Sequence, residues 1–365
     1  MKYRPYVLMN PGPVVVDSRV RSALANPDLC HRESEFTALM SRVSEKVTQV
    51  CGGSSVHASV VLTGSGTAAA EATLCSVVPA DGKILVAGNG HYAQRLVEIA
   101  RVHEIRHDFL DSGWGRPLDL AGLTEFLQRD RAITHVAMVH HETCTGMLNP
   151  VREVGELVQE HGRSLIVDAI SSVGGEELHV ELDCIDWCIG SANKCLESVP
   201  GLSFVCGTVA NFEALGAIPS RSFYLDLQTY YSAVYLDNAP PFTPAVQSFM
   251  AFEVALDLAL EEGSTGRSAR YRRLAARLWS RLEELGFELL LPLDYRSHTL
   301  TSVTLPEGVT YQMLHDGLKA EGFVIYAGQE SLKNKVFRVA NMGKITENDI
   351  DRFQESLRRV TRTNP

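Results

Sequence analysis

The chain has 365 residues, 45% of them hydrophobic and 21% charged, with a formal net charge of −10. This composition is typical of a soluble globular protein of about two domains, and it argues against a broad basic surface for nucleic acid. No run approaches the roughly 18 apolar residues of a membrane helix. The N-terminal apolar segment is too short for a signal peptide, and the eight cysteines form no C-x-x-C pair. We therefore expect reduced thiols, no membrane or nucleic-acid partner, and a cytoplasmic location.

Six short apolar runs predict buried strands, because most are rich in β-branched residues and are bounded by Gly, Asp or Asn. They occupy residues 59–63, 83–88, 135–140, 164–169, 186–191 and 203–207. The stretches between them that predict helices lie at residues 67–78, 92–103, 120–131 and 151–162. Alternation of strands and helices is typical of α/β proteins, so we expect a mostly parallel sheet covered by helices on both faces.

The pattern changes after about residue 245. Long helical stretches at 248–263 and 266–286 precede short apolar runs and two further helices, near 311–321 and 346–360. This part predicts a small α+β domain, and Gly263, Ser264 and Gly266 suit a helix end and a turn before it. The predicted division is an N-terminal arm (1–14), a large domain (15–262) and a small C-terminal domain (263–365).

Two chemically suggestive residues follow predicted strands. Lys194 stands in GSANKCLESVPG (190–201), where an amine could form a Schiff base, although most lysines are solvated surface charges. Asp168 ends the run SLIVDA (164–169), at the edge of the sheet where α/β proteins bind ligands. Such an acid is often a helix cap; alternatively it pairs with the pyridine nitrogen of pyridoxal 5′-phosphate (PLP). The separation of 26 residues leaves room for one helix and one strand between them.

Three further segments stand at strand ends. TGSGTAAAEA (63–72) opens a helix, where backbone N–H groups and hydroxyls could hold a phosphate; a simple capped helix start is the alternative. Tyr92 could stack on a planar cofactor or pack in the core. His140 and His141 are adjacent, and adjacent strand residues point to opposite faces, so we predict no metal site there.

Ten segments, in this order, resemble the class V aminotransferases, a branch of the fold-type I PLP enzymes, and most of all the 2-aminoethylphosphonate–pyruvate transaminases. No segment is specific alone, but the set spans nearly the whole chain. The segments are NPGP (10–13), LTGSGTAAAEA (62–72), NGHYAQR (89–95), HHETCTGMLNP (140–150), VDAISSVGGE (167–176), SANKCLESVPG (191–201), RSFYLDL (221–227), PFTPAVQ (241–247), GFVIYAGQ (322–329) and FRVANMG (337–343).

The resemblance implies a fold-type I large domain with a seven-stranded sheet, PLP as cofactor, and an amino donor and a keto acid as small-molecule partners. It also implies a homodimer with shared active sites. Lys194 is then the Schiff-base lysine and proton carrier, Asp168 pairs with the pyridine nitrogen, and Arg338 binds the acid group of the donor or acceptor. The remaining residues implied to contact the cofactor are Ser65, Gly66, Thr67 and Asn193 at its phosphate, Tyr92 on its ring, Thr143 near its ring hydroxyl, and Thr243 at the phosphate of the partner subunit.

The chain departs from the degradative phosphonate transaminases in three segments. Asn10 stands in place of a threonine, ETCTG (142–146) in place of ETTTG or ETSTG, and LCHRESEF (29–36) in place of a tryptophan-bearing segment. The last resembles a second group associated with phosphonate biosynthesis, so the direction of the reaction stays open. Arg32 is a candidate for contact with the substrate anion, and an exposed ion pair is its alternative. Alanine– or serine–glyoxylate exchange and a PLP-dependent lyase acting on a hydroxylated aminophosphonate also stay open.

Overall fold

The structure is a computed structural model that describes residues 5–362 of the chain. Its strands are β1 (Val7–Leu8), β2 (His57–Thr63), β3 (Lys83–Gly88), β4 (His107–Asp111), β5 (Ile133–Val139), β6 (His141–Glu142), β7 (Met147–Leu148), β8 (Ser164–Asp168), β9 (Trp187–Ser191), β10 (Leu202–Thr208), β11 (Leu300–Thr304), β12 (Phe323–Val324), β13 (Tyr326–Ala327) and β14 (Val336–Ala340).

The α-helices are α1 (Ser18–Ala23), α2 (Ser34–Val50), α3 (Gly66–Val77), α4 (His91–Val102), α5 (Leu120–Arg129), α6 (Val151–Glu160), α7 (Val209–Ala214), α8 (Leu227–Tyr235), α9 (Val246–Glu262), α10 (Ser264–Glu283), α11 (Tyr311–Ala320) and α12 (Glu347–Arg362). Short 3₁₀ helices lie at 215–217, 293–295 and 330–332. Within residues 5–362, no helix has the length and apolar character needed to cross a bilayer.

The central sheet has seven strands in the order β2-β10-β9-β8-β5-β3-β4. Strand β10 runs antiparallel to the other six strands, which are parallel to one another, so the predicted, mostly parallel sheet is confirmed. Alternate strand residues face two separate apolar layers. In β5, Val136 and Met138 face the layer that contains α2, α5, α6 and α9. Ala137 and Val139 face the other, which contains α3, α4 and α8.

A second, three-stranded antiparallel sheet in the order β11-β14-β13 forms the C-terminal α+β part, together with α10, α11 and α12. Helix α9 ends at Glu262, and Gly263, with φ of 73°, separates it from α10. This break coincides with the predicted boundary at 262/263, and the domain division itself stays a prediction. The predicted arm (1–14) extends into residues 1–4, which lie outside the described part. Its strand β1 pairs in parallel with β12 of the C-terminal part.

Among the elements that differ from the sequence-based expectations, three are informative. Strand β4 was not predicted, because HDFLD is a partly exposed edge strand with charged residues at both ends rather than an apolar run. Helix α2 was also missed, although the 3- and 4-residue spacing of its buried Phe36, Leu39, Met40 and Val43 is helical. The run FVIYAG (323–328) is interrupted at Ile325: β12 pairs with the N-terminal strand, and β13 pairs with β14.

Candidate active site

A cavity of about 170 Å³ opens at the carboxyl ends of the parallel strands. It collects residues from the ends of β2, β5, β8 and β9, which is where α/β sheets bind ligands. Its lining residues are Ser65, Gly66, Thr67, Tyr92, Arg95, Val139, His141, Asp168, Ile170, Ser171, Ser191, Asn193 and Lys194. Seven residues predicted from the sequence therefore share one cavity: Ser65, Gly66, Thr67, Tyr92, Asp168, Asn193 and Lys194.

Lys194 stands in the turn that follows β9. Its Nζ donates a hydrogen bond to the carbonyl oxygen of Pro11, so the N-terminal segment lies directly against the lysine. A Cβ atom placed on Gly12 would come within 2.8 Å of the lysine Cδ, and Gly12 has φ of +114°. Only glycine fits there without displacing the lysine. Burial, with smaller contributions from the positive charges of Arg338 and Arg95, lowers the pKa of Lys194 to about 8.

Asp168 ends β8, one strand away from the turn that carries Lys194. The carboxylate is only 6% exposed, and its Oδ1 accepts a hydrogen bond of 3.0 Å from the backbone N–H of Ile170. Burial raises the pKa of Asp168 to about 6. A cationic partner in the cavity would therefore hold this carboxylate in its charged form.

The turn between β2 and α3 forms a cradle of hydrogen-bond donors. Ser65 is the N-cap residue of α3, but its hydroxyl makes no capping hydrogen bond. The first N–H groups of a helix have no partner inside the helix, so those of Gly66 and Thr67 are available to an anion. A Cβ on Gly66 would come within 2.6 Å of the Ile170 side chain, so this position must stay small.

Tyr92 lies in the first turn of α4, and its position depends on a buried carboxylate. Glu142 is fully buried, and its Oε2 accepts hydrogen bonds from the backbone N–H groups of Tyr92 (3.0 Å) and Ala93 (3.3 Å). Glu142 thereby caps α4 from a different segment of the chain. Burial raises the pKa of Glu142 to about 7.

Arg338 and Thr143 lie outside the set that lines the cavity, and they contact each other. The Arg338 guanidinium donates hydrogen bonds to the carbonyl oxygens of Thr143 (3.0 Å) and Ala327 (2.8 Å) and to Oε1 of Gln329 (3.1 Å). All three acceptors are uncharged, and Arg338 is only 4% exposed. Within residues 5–362, no carboxylate lies within 4.0 Å of this guanidinium. The buried charge therefore lacks a counter-ion.

The sequence is similar to proteins of known family over nearly its whole length. Residues 17–353 match the family described as aminotransferase class-V. The chain is 37% identical over 361 residues to a 2-aminoethylphosphonate–pyruvate transaminase of Bacillus cytotoxicus, with 98% of each chain covered. It is 37% identical to an enzyme of the same name from Klebsiella pneumoniae, with 96% of each chain covered.

The chain belongs to the class V aminotransferase family. The family resemblance predicted from the motifs is thus confirmed. Among solved structures, the alanine–glyoxylate aminotransferase of Nostoc sp. superposes with a TM-score of 0.93 at 28% identity, covering 99% of this chain and 96% of that one. The fold-type I architecture expected from the sequence is confirmed as well.

Two further predicted site residues, in addition to Arg338 and Thr143, do not line this cavity. Thr243 is exposed in the segment before α9, beside a small surface cleft lined by Tyr224 and Phe242. Arg32 is exposed in the turn before α2, and in the part of the chain that the structure describes it forms no ion pair with the neighbouring Glu33. Their roles, like those of the other site residues, stay predictions.

The cavity also contains residues that sequence reasoning assigned no role. His141 lines it, with Nδ1 lying 3.2 Å from the carbonyl oxygen of Ser171, and burial lowers its pKa to about 4. The imidazole is therefore neutral near pH 7. Arg95 stands one turn after Tyr92 in the motif NGHYAQR, so the motif itself was the available signal. No group of three or more His, Cys, Asp or Glu residues between positions 5 and 362 is arranged to hold a metal ion.

Proposed function

We propose that this aminotransferase uses PLP bound at Lys194 to exchange the amino group between 2-aminoethylphosphonate and pyruvate. Phosphonoacetaldehyde and alanine are the corresponding products. The proposal rests on the presence of Lys194 and Asp168 in one cavity, and on the activity for which two relatives, each 37% identical over nearly the whole chain, are named.

The residues present fit PLP. Thr143 is buried, and its Oγ1 has no hydrogen-bond partner among the residues described, so a ring hydroxyl could satisfy it. Ser65 offers a hydroxyl that does not cap its helix, next to the first N–H groups of α3. The lowered pKa of Lys194, about 8, makes its neutral amine available for a covalent bond near neutral pH. The donor set thus offers separate groups to the ring, the phosphate and the aldehyde.

When bound, PLP supplies an electron-poor ring that stabilises negative charge on a substrate carbon. Lys194 holds the cofactor in place and then, as a free amine, moves a proton at its Nζ. Asp168, as a carboxylate at the end of a rigid strand, holds the ring nitrogen in its protonated form. Tyr92 presents a ring at a position fixed by the Glu142 cap. The N-terminal segment at Pro11 and Gly12 lies directly against the Lys194 side chain.

The buried charge of Arg338 supports a substrate that carries an acid group. Both proposed substrates carry an acid group. The planar guanidinium of arginine, with its paired N–H donors, binds carboxylate and phosphonate alike. The net charge of −10 would repel an anion at long range, so its capture requires a local cation.

A homodimer with shared active sites is part of the proposal. Thr243 is exposed near Phe223, whose side chain is 88% exposed and contacts Phe242. Leu236, at the end of α8, is 71% exposed. Large exposed apolar side chains in one region are typical of a protein–protein interface, which supports Thr243 acting at the site of a second copy.

The decisive experiment mixes the purified, PLP-loaded protein with 2-aminoethylphosphonate in the absence of a keto acid. We expect the PLP absorbance band to be replaced by that of pyridoxamine phosphate, without release of ammonia. Later addition of pyruvate should restore the first band and produce alanine. Ammonia release from a hydroxylated derivative of the aminophosphonate, without conversion of 2-aminoethylphosphonate itself, would assign a lyase instead. A response to alanine with glyoxylate but not to the aminophosphonate would assign the glyoxylate exchange.

A further inference from the structure

Arg95 stands where two cavities meet. It lines the Lys194 cavity, and it also lines a neighbouring open cleft of about 630 Å³ together with His91, Phe109 and Trp114. Helix α4 presents it one turn after Tyr92, on the side of the cavity that holds the α3 cradle.

Three neighbours hold the guanidinium in place. Nη1 donates a hydrogen bond of 3.2 Å to Oγ1 of Thr67, and Nη2 lies 3.3 Å from Nε2 of His91. The guanidinium carbon lies 4.6 Å from the centre of the Tyr92 ring, in a cation–π contact. Burial lowers the pKa of His91, and the neutral imidazole can then accept the hydrogen bond from Arg95. The arginine is thus oriented before any ligand arrives.

Arg95 has no carboxylate partner at contact distance. Glu98, one turn further along α4, pairs with Arg101 instead, at 2.7 Å. No carboxylate of the described residues comes within 4.0 Å of the Arg95 guanidinium, although Glu98 and Glu330 line the same cleft and Asp168 lies within electrostatic range. An oriented cation without a direct counter-ion, next to a cradle of N–H donors and hydroxyls, is suited to an anion.

We propose that Arg95 is the positive charge of the cofactor-phosphate cradle and acts through Thr67; this inference rests on the proposed use of PLP. A hydroxyl has one proton and two lone pairs. Because Arg95 donates to one lone pair of Thr67 Oγ1, the hydroxyl proton is free to point into the cavity and donate to a phosphate oxygen. A phosphate monoester carries about −1.5 to −2 charge near neutral pH, so a nearby cation is needed to balance it.

The other two cations near the cavity have different tasks. Lys194 would be occupied by its bond to the cofactor's aldehyde carbon, and Arg338 is held beside Thr143 by three hydrogen bonds. Among the cationic side chains of residues 5–362, Arg95 alone has a hydrogen bond to the cradle, through Thr67. The inference makes Arg95 a positioning residue for the phosphate, separate from the substrate's acid group.

The test compares the binding of two ligands by the cofactor-free wild type and two Arg95 variants. Wild type, Arg95→Gln and Arg95→Lys are each titrated with PLP and with pyridoxal, which lacks the phosphate, and the dissociation constants are measured by absorbance. Loss of a charge-assisted contact predicts about a ten- to hundredfold weaker affinity of Arg95→Gln for PLP, with affinity for pyridoxal nearly unchanged. Arg95→Lys keeps the charge and should recover part of the loss. Inorganic phosphate should compete with PLP in the wild type and less in Arg95→Gln.

Arg101→Gln is the matched control, because Arg101 lies on the same helix, is exposed and pairs with Glu98. It should bind both compounds as the wild type does. Equal weakening of PLP and pyridoxal in Arg95→Gln, or no weakening of either, would overturn the phosphate role while leaving the proposed function intact. Failure of the wild type to bind PLP would overturn the proposed function and this inference with it. If Arg95→Gln does not fold, the same comparison is made with Arg95→Lys. The expected increase in its dissociation constant for PLP is then smaller.

Discussion

Arg338 donates a hydrogen bond of 3.0 Å to the carbonyl oxygen of Thr143, across a separation of 195 residues. The arginine belongs to strand β14 of the C-terminal sheet, and the threonine follows β6, just beyond the carboxyl end of β5 in the central sheet. The bond therefore ties the predicted anion-binding residue to the segment expected near the cofactor ring. It also leaves the arginine's positive charge without a counter-ion, since a carbonyl oxygen is uncharged.

The substrate role of Arg338 can be tested with Arg338→Lys. A lysine keeps the charge but loses the fork that bonds to Thr143, Ala327 and Gln329. Because one acid-binding group serves both half-reactions, the KM for the aminophosphonate and for pyruvate should both rise, by about ten- to hundredfold. Steady-state kinetics measures both values, and a thermal melt shows whether the fold is retained. Unchanged KM values for both substrates would leave Arg338 a purely structural residue.

Lys194→Ala should abolish turnover and leave the fold intact, because the part proposed for this lysine is covalent. Borohydride reduction of the wild-type protein with PLP should attach the cofactor at Lys194, and mass spectrometry of peptides locates the attachment. The same treatment of the variant should give no label in the cavity. A label on a different lysine of the wild type would refute the assignment.

The lowered pKa of Lys194 predicts a pH dependence for cofactor attachment. Only the neutral amine reacts, so the rate should rise about tenfold per pH unit below pH 8 and level off above it. The lysine pKa of about 8 sets this turning point for the cofactor-free protein. Stopped-flow absorbance after mixing with PLP measures the rate. Free lysine acetylated at its α-nitrogen, which keeps the side-chain amine, is the control in the same buffers. A rate still rising steeply at pH 9–10 would show an unperturbed lysine.

Asp168→Asn should lower kcat by about two to three orders of magnitude. An amide of the same shape removes the negative charge that would hold the ring nitrogen protonated, and one such preorganised contact is worth about 3–4 kcal/mol. Single-turnover kinetics with the PLP-loaded variant separates this loss from weaker cofactor binding. Near-wild-type rates would mean that the ring nitrogen lies elsewhere.

Thr243→Ala should weaken PLP binding without affecting the attachment of PLP at Lys194. If the threonine acts across a dimer, diluting the wild type below its dimer dissociation constant should weaken PLP binding in the same way. Equilibrium dialysis over a range of protein concentrations, with analytical ultracentrifugation, follows both quantities. Full PLP affinity in a species shown to be a monomer would contradict the shared site.

The sequence determined the elements whose burial pattern is local. Strands such as β5 and β8 are continuous apolar runs because both of their faces are covered, and this pattern is visible without any knowledge of the neighbouring strands. The edge strand β4 has a neighbour on one side only and carries charged residues, so no run marked it. The split of residues 323–328 between two sheets likewise depends on partners far away in the chain.

For the site, the sequence determined which residues follow the strands, and parallel strands bring those ends to one edge of the sheet. Lys194 and Asp168 could therefore be paired from their positions, and the motifs identified the family. Only the tertiary structure decided that Gly12 lies against Lys194, that Glu142 holds the start of α4, that Arg95 bonds to Thr67, and that Arg338 reaches Thr143. These contacts join segments 28 to 195 residues apart. No local pattern encodes them, because each depends on how two already formed elements pack against each other.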